Sequence, residues 1–185
     1  VKDHTHITID GKFLQGGFKD TDSIHLVTAF ASETKLVLAQ TQVNSKDNEI
    51  TTLPRLLDMI NIKGSVVTGD AMYCQKDVCK QLVKAKADYI LSLKRNHEHL
   101  YDDVKLWLDT QFYSGNLPIN ETVDKDHGRI EVRRYALSTK IDWLDNKSDW
   151  TGLSAVAMVD STRIIGEDSH TERRYYLTSL TDLPI

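Results

Sequence analysis

Short apolar runs separated by polar residues predict five strands in the first half of the chain. Residues 5–14 alternate around Ile7 and Ile9, and β-branched runs follow at Ile24–Ala31 and at 35–43. The three residues between the second and third runs suit a hairpin, so a three-stranded antiparallel meander is expected first. Two later runs, over 65–71 and 88–94, complete the five strands. The intervening stretch 15–23 is rich in turn residues.

Two helical patterns connect the later strands. The first pattern is a one-sided apolar stripe at helical period, made of Ile50, Leu53, Leu56, Leu57 and Ile60. Pro54 is then expected in or near the first turn, where proline is tolerated. The second helix is predicted over 74–87, with one apolar face made of Val78, Leu82, Val83 and Ala87. Helical connections between strands imply right-handed parallel crossovers.

The resulting order, βββαβαβ, predicts an α/β fold with a mixed five-stranded sheet of the ribonuclease-H-like kind. In that fold the first and fourth strands are neighbours. A helix is predicted over 97–109, with Leu100, Val104 and either Trp107 or Leu108 buried. Strands are predicted over 122–138, 153–165 and 173–180, with loops at 145–149 and 166–170. We therefore expect a core domain over 1–96 and a helix plus β-rich insertion subdomain over 97–185, where the β-rich part could also extend the first sheet.

Composition limits the classes of protein that the chain can represent. Its 185 residues are 40% hydrophobic and 27% charged, enough for a real core and unlike a disordered segment. The net charge of −4 argues against a strongly basic nucleic-acid binder without excluding one. No apolar run approaches the roughly 20 residues that cross a bilayer. Cys74 and Cys79 have poor spacing for a disulfide on one helix, so reduced cytoplasmic thiols are expected.

Two aspartates are the main candidates for chemistry. Asp10 and Asp70 each end a β-branched run and are followed by a small residue. Such a carboxylate either caps a turn or joins a second one on a neighbouring strand to hold a divalent cation. Mg²⁺ takes hard oxygen ligands, and pairs of such ions promote phosphoryl transfer. That chemistry needs at least one further carboxylate, and the pattern alone leaves both interpretations open.

Other charged residues have two interpretations each. Glu49 opens the first helix, where it either joins a metal site or complements the helix dipole. A group of arginines in the second half either contacts DNA phosphates or forms cross-strand ion pairs with Glu131 and Glu172; this group is Arg129, Arg133, Arg134, Arg173 and Arg174. Alternation places Arg129 and Arg133 on one face and Arg134 on the other. Three further cations are candidates to face a scissile phosphate, namely Lys12, Lys94 and Arg95.

Seven segments, in order, resemble the insertion-sequence DDE transposases of the H-repeat-associated type. They are ITIDGK, IHLVTAFAS, NEITTLPRLLDMI, VVTGDAMYCQK, DYILSLKRN, DKDHGRIEVRRY and TERRYYLTSL. The resemblance implies that Asp10 and Asp70 are the first two acids of a catalytic triad. The family's third acid is a glutamate in a helical segment of the form HWxIEN, a string absent from this sequence. Since the chain also begins without methionine, it is expected to be the middle of a transposase that is inactive as it stands.

The resemblance also implies a function and its partners. A transposase of this kind hydrolyses phosphodiester bonds and transfers strands at insertion-sequence ends, with Mg²⁺ or Mn²⁺ as cofactor. DNA is then the partner, a homodimer on paired ends is possible, no membrane is involved, and a bacterial cytoplasmic, nucleoid-associated location follows. The alternative is a non-catalytic truncated relic that keeps residual DNA binding.

Overall fold

The predicted antiparallel meander is present in the computed structural model of the protein, which describes residues 5–14, 24–44, 46–126 and 128–182. Its strands are β1 (His6–Leu14), β2 (Ile24–Ala31) and β3 (Leu36–Gln42). They belong to the first of two compact units, Val1–Leu91 with Trp150–Gly152; the second is Ser92–Asp149 with Leu153–Ile185. The turn-rich stretch predicted at 15–23 lies outside the described residues.

The sheet of the first unit is mixed. After the meander come helix α1 (Glu49–Asp58), strand β4 (Val66–Gly69), helix α2 (Lys76–Lys84) and strand β5 (Asp88–Leu93). The strands lie in the order β3-β2-β1-β4-β5. β1 pairs antiparallel with β2 and parallel with β4, and β4 pairs parallel with β5. The α/β class is confirmed, the first and fourth strands are neighbours, and the arrangement is consistent with the expected ribonuclease-H-like fold.

The first strand covers nearly all of the predicted stretch 5–14. Its apolar run ends at Asp10, and β1 continues for four residues beyond it to Leu14. Pairing with β2 extends the strand, since Asp10 lies opposite Thr28 and Leu14 opposite Ile24. Asp10 therefore lies in the interior of β1, paired with β2 and one residue beyond the pairing with β4.

Helix α1 begins one residue before its predicted apolar stripe. Asn48 caps it, because its side chain accepts a 2.9 Å hydrogen bond from the Thr51 N–H while the Thr51 hydroxyl accepts one from the Asn48 N–H. This start places Pro54 inside the helix, beyond the first turn that was predicted. The buried residues of the helix are Glu49, Thr52, Leu53 and Leu56, whereas Ile50 and Leu57 of the predicted stripe are partly exposed.

Helix α2 is shorter than predicted, because it begins at Lys76 and ends at Lys84. Cys74 therefore precedes the helix and only Cys79 lies on it. Neither cysteine forms a disulfide, and both are fully buried. The surrounding core of the first unit is made of buried aliphatic residues from both strands and helices, among them Ile7, Ile9, Val27, Leu53, Leu56, Val67, Leu82 and Leu91.

Among its described residues, the second unit has one α-helix and four antiparallel strands. A 3₁₀ turn at Arg95–His97 leads into helix α3 (Glu98–Tyr113), which buries Val104 and Leu108, and another 3₁₀ turn lies at Lys147–Asp149. The strands are β6 (Ile119–Asp126), β7 (Arg129–Ser138), β8 (Ala155–Ile165) and β9 (Asp168–Thr178). Each pairs antiparallel with the next, giving the order β9-β8-β7-β6.

Two tight turns account for the differences from the predicted strands. The single run predicted over 122–138 is a hairpin of β6 and β7, and Gly128 takes the left-handed conformation at φ +75° that its turn requires. The loop predicted over 166–170 is a shorter turn, because Ile165 already pairs with Asp168 and Gly166 has φ +59°. Among the described residues, no helix is long and apolar enough to span a bilayer.

Candidate metal and nucleic-acid sites

The two candidate aspartates follow directly on one pair of residues in neighbouring parallel strands. Ile9 of β1 lies opposite Gly69 of β4, and Asp10 and Asp70 are the next residues along each chain. Both side chains are exposed. Because the strands run in the same direction, both aspartates lie one position beyond this pair on the same side of it. The sequence prediction that these residues come from neighbouring strands is thus met by the pairing of β1 with β4.

The alternative turn-capping role of Asp70 is also present. Its Oδ1 accepts a 2.9 Å hydrogen bond from the N–H of Met72, and its carbonyl accepts one from the N–H of Tyr73 over 3.2 Å. An aspartate side chain that bonds the backbone two residues on is typical of a turn start. The two interpretations are compatible, because the turn bond uses one carboxylate oxygen and orients the other.

Glu49 is a buried carboxylate with two hydrogen-bond donors. Its Oε1 accepts from Nε2 of His25 over 2.6 Å, and its Oε2 accepts from the hydroxyl of Tyr73 over 2.8 Å. Its side chain is 9% exposed. Burying an unpaired carboxylate is costly, so these two contacts are what allow Glu49 to remain buried at the start of α1.

Gly11, next to Asp10, lies directly against the Glu49 carboxylate. A β-carbon at this position would overlap the carboxyl carbon and both oxygens of Glu49. Burial raises the pKa of the Tyr73 hydroxyl, and its hydrogen bond to Glu49 raises this pKa further. The negative charges of Glu49, Asp70 and Asp10 act in the same direction. Tyr73 therefore remains a protonated hydrogen-bond donor in the vicinity of all three carboxylates.

The donor set suits a hard divalent cation in part. Asp10 and Asp70 offer exposed carboxylate oxygens, which are the ligands that Mg²⁺ and Mn²⁺ take. Within the described ranges, no group of three or more histidine, cysteine, aspartate or glutamate residues is arranged to hold a metal ion. The two aspartates therefore fit as part of a ligand set, and Glu49 has both oxygens engaged by His25 and Tyr73.

The three isolated cations of the sequence prediction are all exposed. Lys12 follows Asp10 by two residues on β1, in the first unit. Lys94 and Arg95 lie between β5 and α3 in the second unit. Arg95 contacts Glu98 over 3.1 Å and Asp102 over 3.4 Å, and its guanidinium lies 5.5 Å from the centre of the Tyr101 ring.

The arginines of the β-rich strands are paired with carboxylates. Arg129 and Arg133 both contact Glu131 on the same strand, and Arg133 also donates to Asp124 of β6 over 3.0 Å. Arg163 of β8 reaches Glu131 from the other side, over 3.0 Å. Although partial burial opposes it, the arginine contacts lower the pKa of Glu131, so this carboxylate stays ionised among them.

Glu131, Arg133 and Arg163 face a polar cavity of about 520 Å³. Arg174 lines it from β9 and forms two hydrogen bonds to Glu172, of 2.9 and 2.7 Å. We call this surface the cavity face; its lining residues are Glu131, Arg133, Ser161, Thr162, Arg163, His170, Glu172 and Arg174. Its arginines come from three neighbouring strands, and each arginine lies beside a carboxylate.

Arg134 and Arg173 do not line this cavity. Arg134 donates to Glu121 over 2.7 Å. Arg173 is only 15% exposed and contacts Asp109 of α3 over 2.8 Å and Asp160 of β8 over 3.2 Å. Its guanidinium also lies 4.5 Å from the centre of the Phe112 ring. Arg173 therefore attaches α3 to the sheet of the second unit.

Several residues of these sites were missed in the sequence. Arg163 belongs to the cavity face, as Arg133 and Glu131 of the neighbouring strand do. The alternation of side chains along the strands was the signal that could have found it. His25, Tyr73 and Gly11 surround Glu49, and nothing in the local sequence of His25 or Tyr73 marks this role. Gly11 gave a partial signal of this role, because it is a glycine next to the first acid.

Comparison with known proteins agrees with the resemblance. The family model described as "Transposase DDE domain" matches residues 2–178. The chain is 40% identical over 180 residues to the "Uncharacterized protein in dhlA 3'region" of Xanthobacter autotrophicus, covering 96% of this chain and 61% of that protein. It is 34% identical over 187 residues to "Putative transposase YncI" of Escherichia coli O157:H7, covering 97% of this chain and 48% of that one.

A third relative carries the more specific description. It is "H repeat-associated putative transposase YhhI" of Escherichia coli strain K12, 31% identical over 191 residues, which cover 94% of this chain and 48% of that protein. The chain thus spans between about half and three fifths of the length of these curated relatives. On the family match and these relatives, the chain belongs to the DDE transposase family, among insertion-sequence transposases of the H-repeat-associated type.

Proposed function

We propose that this chain carries the core of a DNA transposase that hydrolyses and transfers phosphodiester bonds at insertion-sequence ends with the help of a divalent cation. The observation that carries the proposal is the position of Asp10 and Asp70, one residue beyond the parallel pair of Ile9 and Gly69. Family membership supports it, since divalent metal use is general among DDE transposases. The core corresponds to residues 1–96, as a ribonuclease-H-like domain, and residues 97–185 to the insertion subdomain.

In this proposal Asp10 and Asp70 are catalytic residues that hold Mg²⁺ or Mn²⁺. A bound cation of this kind supplies Lewis-acid chemistry at the phosphate and lowers the pKa of a coordinated water. Asp70 presents its second oxygen while the first remains bonded to the Met72 N–H. Lys12, exposed two residues after Asp10, supplies positive charge for a phosphate beside the acids.

The cavity face is the proposed DNA-contacting surface of the second unit, together with the exposed cations Lys94 and Arg95. Arg133 and Arg174 line the cavity, and Arg129 pairs with its lining residue Glu131; all three are within reach of solvent and beside a carboxylate that orients them. Guanidinium groups of this kind bind phosphate oxygens and position DNA without reading its sequence. Arg134 and Arg173 have ion-pairing roles in this proposal, because neither they nor the carboxylates that they contact line the cavity.

A second candidate is a non-catalytic relic that retains DNA binding. It is favoured by the absence, within the described part of the chain, of any group of three residues suited to a metal ion. Both candidates place the protein on DNA and hence at the bacterial nucleoid, where paired ends would be held by a homodimer. They differ in whether DNA is cut.

Nicking of supercoiled plasmid DNA separates the two candidates. The protein expressed from the complete reading frame is incubated with the plasmid and Mn²⁺, alongside its Asp10→Asn and Asp70→Asn variants. Nicking that needs Mn²⁺ and is lost in both variants supports the transposase. Nicking that both variants retain overturns the assignment of the acids, and DNA binding without nicking favours the relic.

A further inference from the structure

Glu49 is a buried carboxylate to which the proposed chemistry gives no role. A glutamate that only complemented the helix dipole would do so from the surface, since burial penalises its charge. Glu49 instead has 9% of its side chain exposed, with His25 and Tyr73 donating to its two oxygens. The contacts with His25 and Tyr73, rather than the location of Glu49 at the start of α1, explain why its side chain is buried.

The contacts of Glu49 reach both segments that carry the aspartates. Gly11 directly follows Asp10. Because it has no β-carbon, it leaves space for the Glu49 carboxylate, which the β-carbon of any other residue would fill. Gly11 is not among the described glycines with positive φ, so space rather than backbone conformation requires glycine here. Tyr73 lies in the turn that Asp70 begins, three residues after that acid, and its hydroxyl bonds Oε2 of Glu49 over 2.8 Å.

His25 adds the third strand. It lies on β2 opposite Phe13 of β1, just beyond Asp10 and Gly11, and its Nε2 contacts Oε1 of Glu49 over 2.6 Å. The one carboxylate therefore joins β1, β2 and the turn after β4. We infer that Glu49 is a positioning residue that fixes the spacing of Asp10 and Asp70 by holding Gly11, His25 and Tyr73 together. This inference rests on the proposed function, because it takes the two aspartates as the cation ligands.

The test measures Mn²⁺ affinity of the full chain by electron paramagnetic resonance of the free ion. Glu49→Ala removes the contacts and is expected to weaken binding about tenfold, the lower end of the effect of losing a residue that orients metal ligands. Glu49→Gln keeps the shape, because its amide can accept from His25 and donate to Tyr73, and should stay within about threefold of the wild type. Rescue by glutamine is the signature that a direct ligand would not give.

Two further variants approach the same contacts from their partners. Tyr73→Phe should weaken Mn²⁺ binding several-fold, whereas Tyr89→Phe, its matched control, should not. Tyr89 is a buried tyrosine of the same unit whose hydroxyl bonds the Thr151 carbonyl over 3.1 Å. Gly11→Ala should weaken binding about as much as Glu49→Ala, and the two changes together should be no worse than one, because they act through the same contact.

Each contrary result has its own meaning. Equal losses in Glu49→Gln, Glu49→Ala and Asp10→Asn would make Glu49 a ligand and overturn the positioning role. Unchanged affinity in a Glu49→Ala protein that circular dichroism shows to be folded would also overturn it. If Asp10→Asn itself binds Mn²⁺ like the wild type, the proposed metal site fails, and that failure is separate from a failure of Glu49 alone.

Discussion

Asp10 and Asp70 directly follow the two members of one residue pair, Ile9 and Gly69, on neighbouring parallel strands. The relationship depends on strand order, because β4 lies beside β1 only after the chain has passed through β2, β3 and α1. It brings together two acids that are distant in sequence. The same arrangement leaves both side chains exposed. The proposed function requires this exposure, because a cation and a DNA phosphate must reach the two carboxylates.

Replacing Asp109 tests how α3 is attached within the second unit. Asp109 accepts hydrogen bonds from Lys105, Arg173 and Tyr175, over 2.6, 2.8 and 2.7 Å. Asp109→Asn removes the charge that pairs with Arg173 and should cost roughly 1–3 kcal/mol of unfolding free energy. Urea denaturation followed by circular dichroism measures it. Asp103→Asn, an exposed change on the same helix, is the control and should cost little.

The same carboxylate predicts a dependence of stability on pH. Burial works to raise the pKa of Asp109, but the bonds from Lys105, Arg173 and Tyr175 outweigh it and lower the pKa below the ordinary value of 3.8. A lowered native pKa means that the stabilisation is present above pH 3.8 and is lost as pH falls through the native pKa. The wild type should therefore lose more stability than Asp109→Asn between about pH 5 and pH 2. Parallel losses in the two proteins would contradict this account.

The two faces of β7 should differ in DNA binding. Arg133 lines the cavity face, and its sequence neighbour Arg134 does not; both pair with acids of β6. Each phosphate contact contributes about one unit to the slope of log affinity against log salt concentration. Arg133→Ala should lower this slope by about one unit for duplex DNA.

Arg134→Ala is the matched control for that measurement, since it removes an ion-paired arginine one residue away. It should leave the slope unchanged. Fluorescence anisotropy of a labelled duplex at several salt concentrations gives both slopes. Equal slopes for Arg133→Ala and the wild type would remove the cavity face from the DNA-binding surface.

Both cysteines should be unreactive in the native protein. Burial raises the pKa of the Cys79 thiol to about 11, and it raises that of Cys74 further, with the nearby Cys79 adding to it. Since the thiolate is the reactive form, few molecules carry it near pH 8, and the buried sulfurs exclude reagent. Iodoacetamide labelling followed by mass spectrometry should be slow until urea is added. Rapid native labelling at either residue would show that this part of the core opens.

The sequence predicted those features that depend on local pattern and chain order. The five strands of the first unit and their helical connections follow from apolar runs and helical periodicity. That the strands of Asp10 and Asp70 are neighbours was expected from the ribonuclease-H-like fold that this element order matches. The family assignment followed from linked segments rather than from single residues. By contrast, the hairpin at Gly128 was read as one continuous strand, because both of its arms carry similar alternation.

Features that depend on side-chain partners from distant segments were not predictable. The sequence left Glu49 either as a metal ligand or as a helix-start charge, and only the approach of Gly11 and Tyr73 shows why it is buried. It left Arg173 either as a DNA contact or as an ion-pair partner, and its burial against Asp109 and Asp160 was not predictable. In both cases the local sequence gives the charge, whereas the fold decides its partner.

Calorimetric titration of Mn²⁺ into the wild type, Asp10→Asn and Asp70→Asn tests the central claim most directly. Two aspartates that share a cation should each be needed, so either replacement is predicted to abolish or strongly weaken the binding heat. Thermal melts of the three proteins show whether the variants remain folded. Folded variants that both bind Mn²⁺ with the affinity of the wild type would contradict the claim that Asp10 and Asp70 form the metal site.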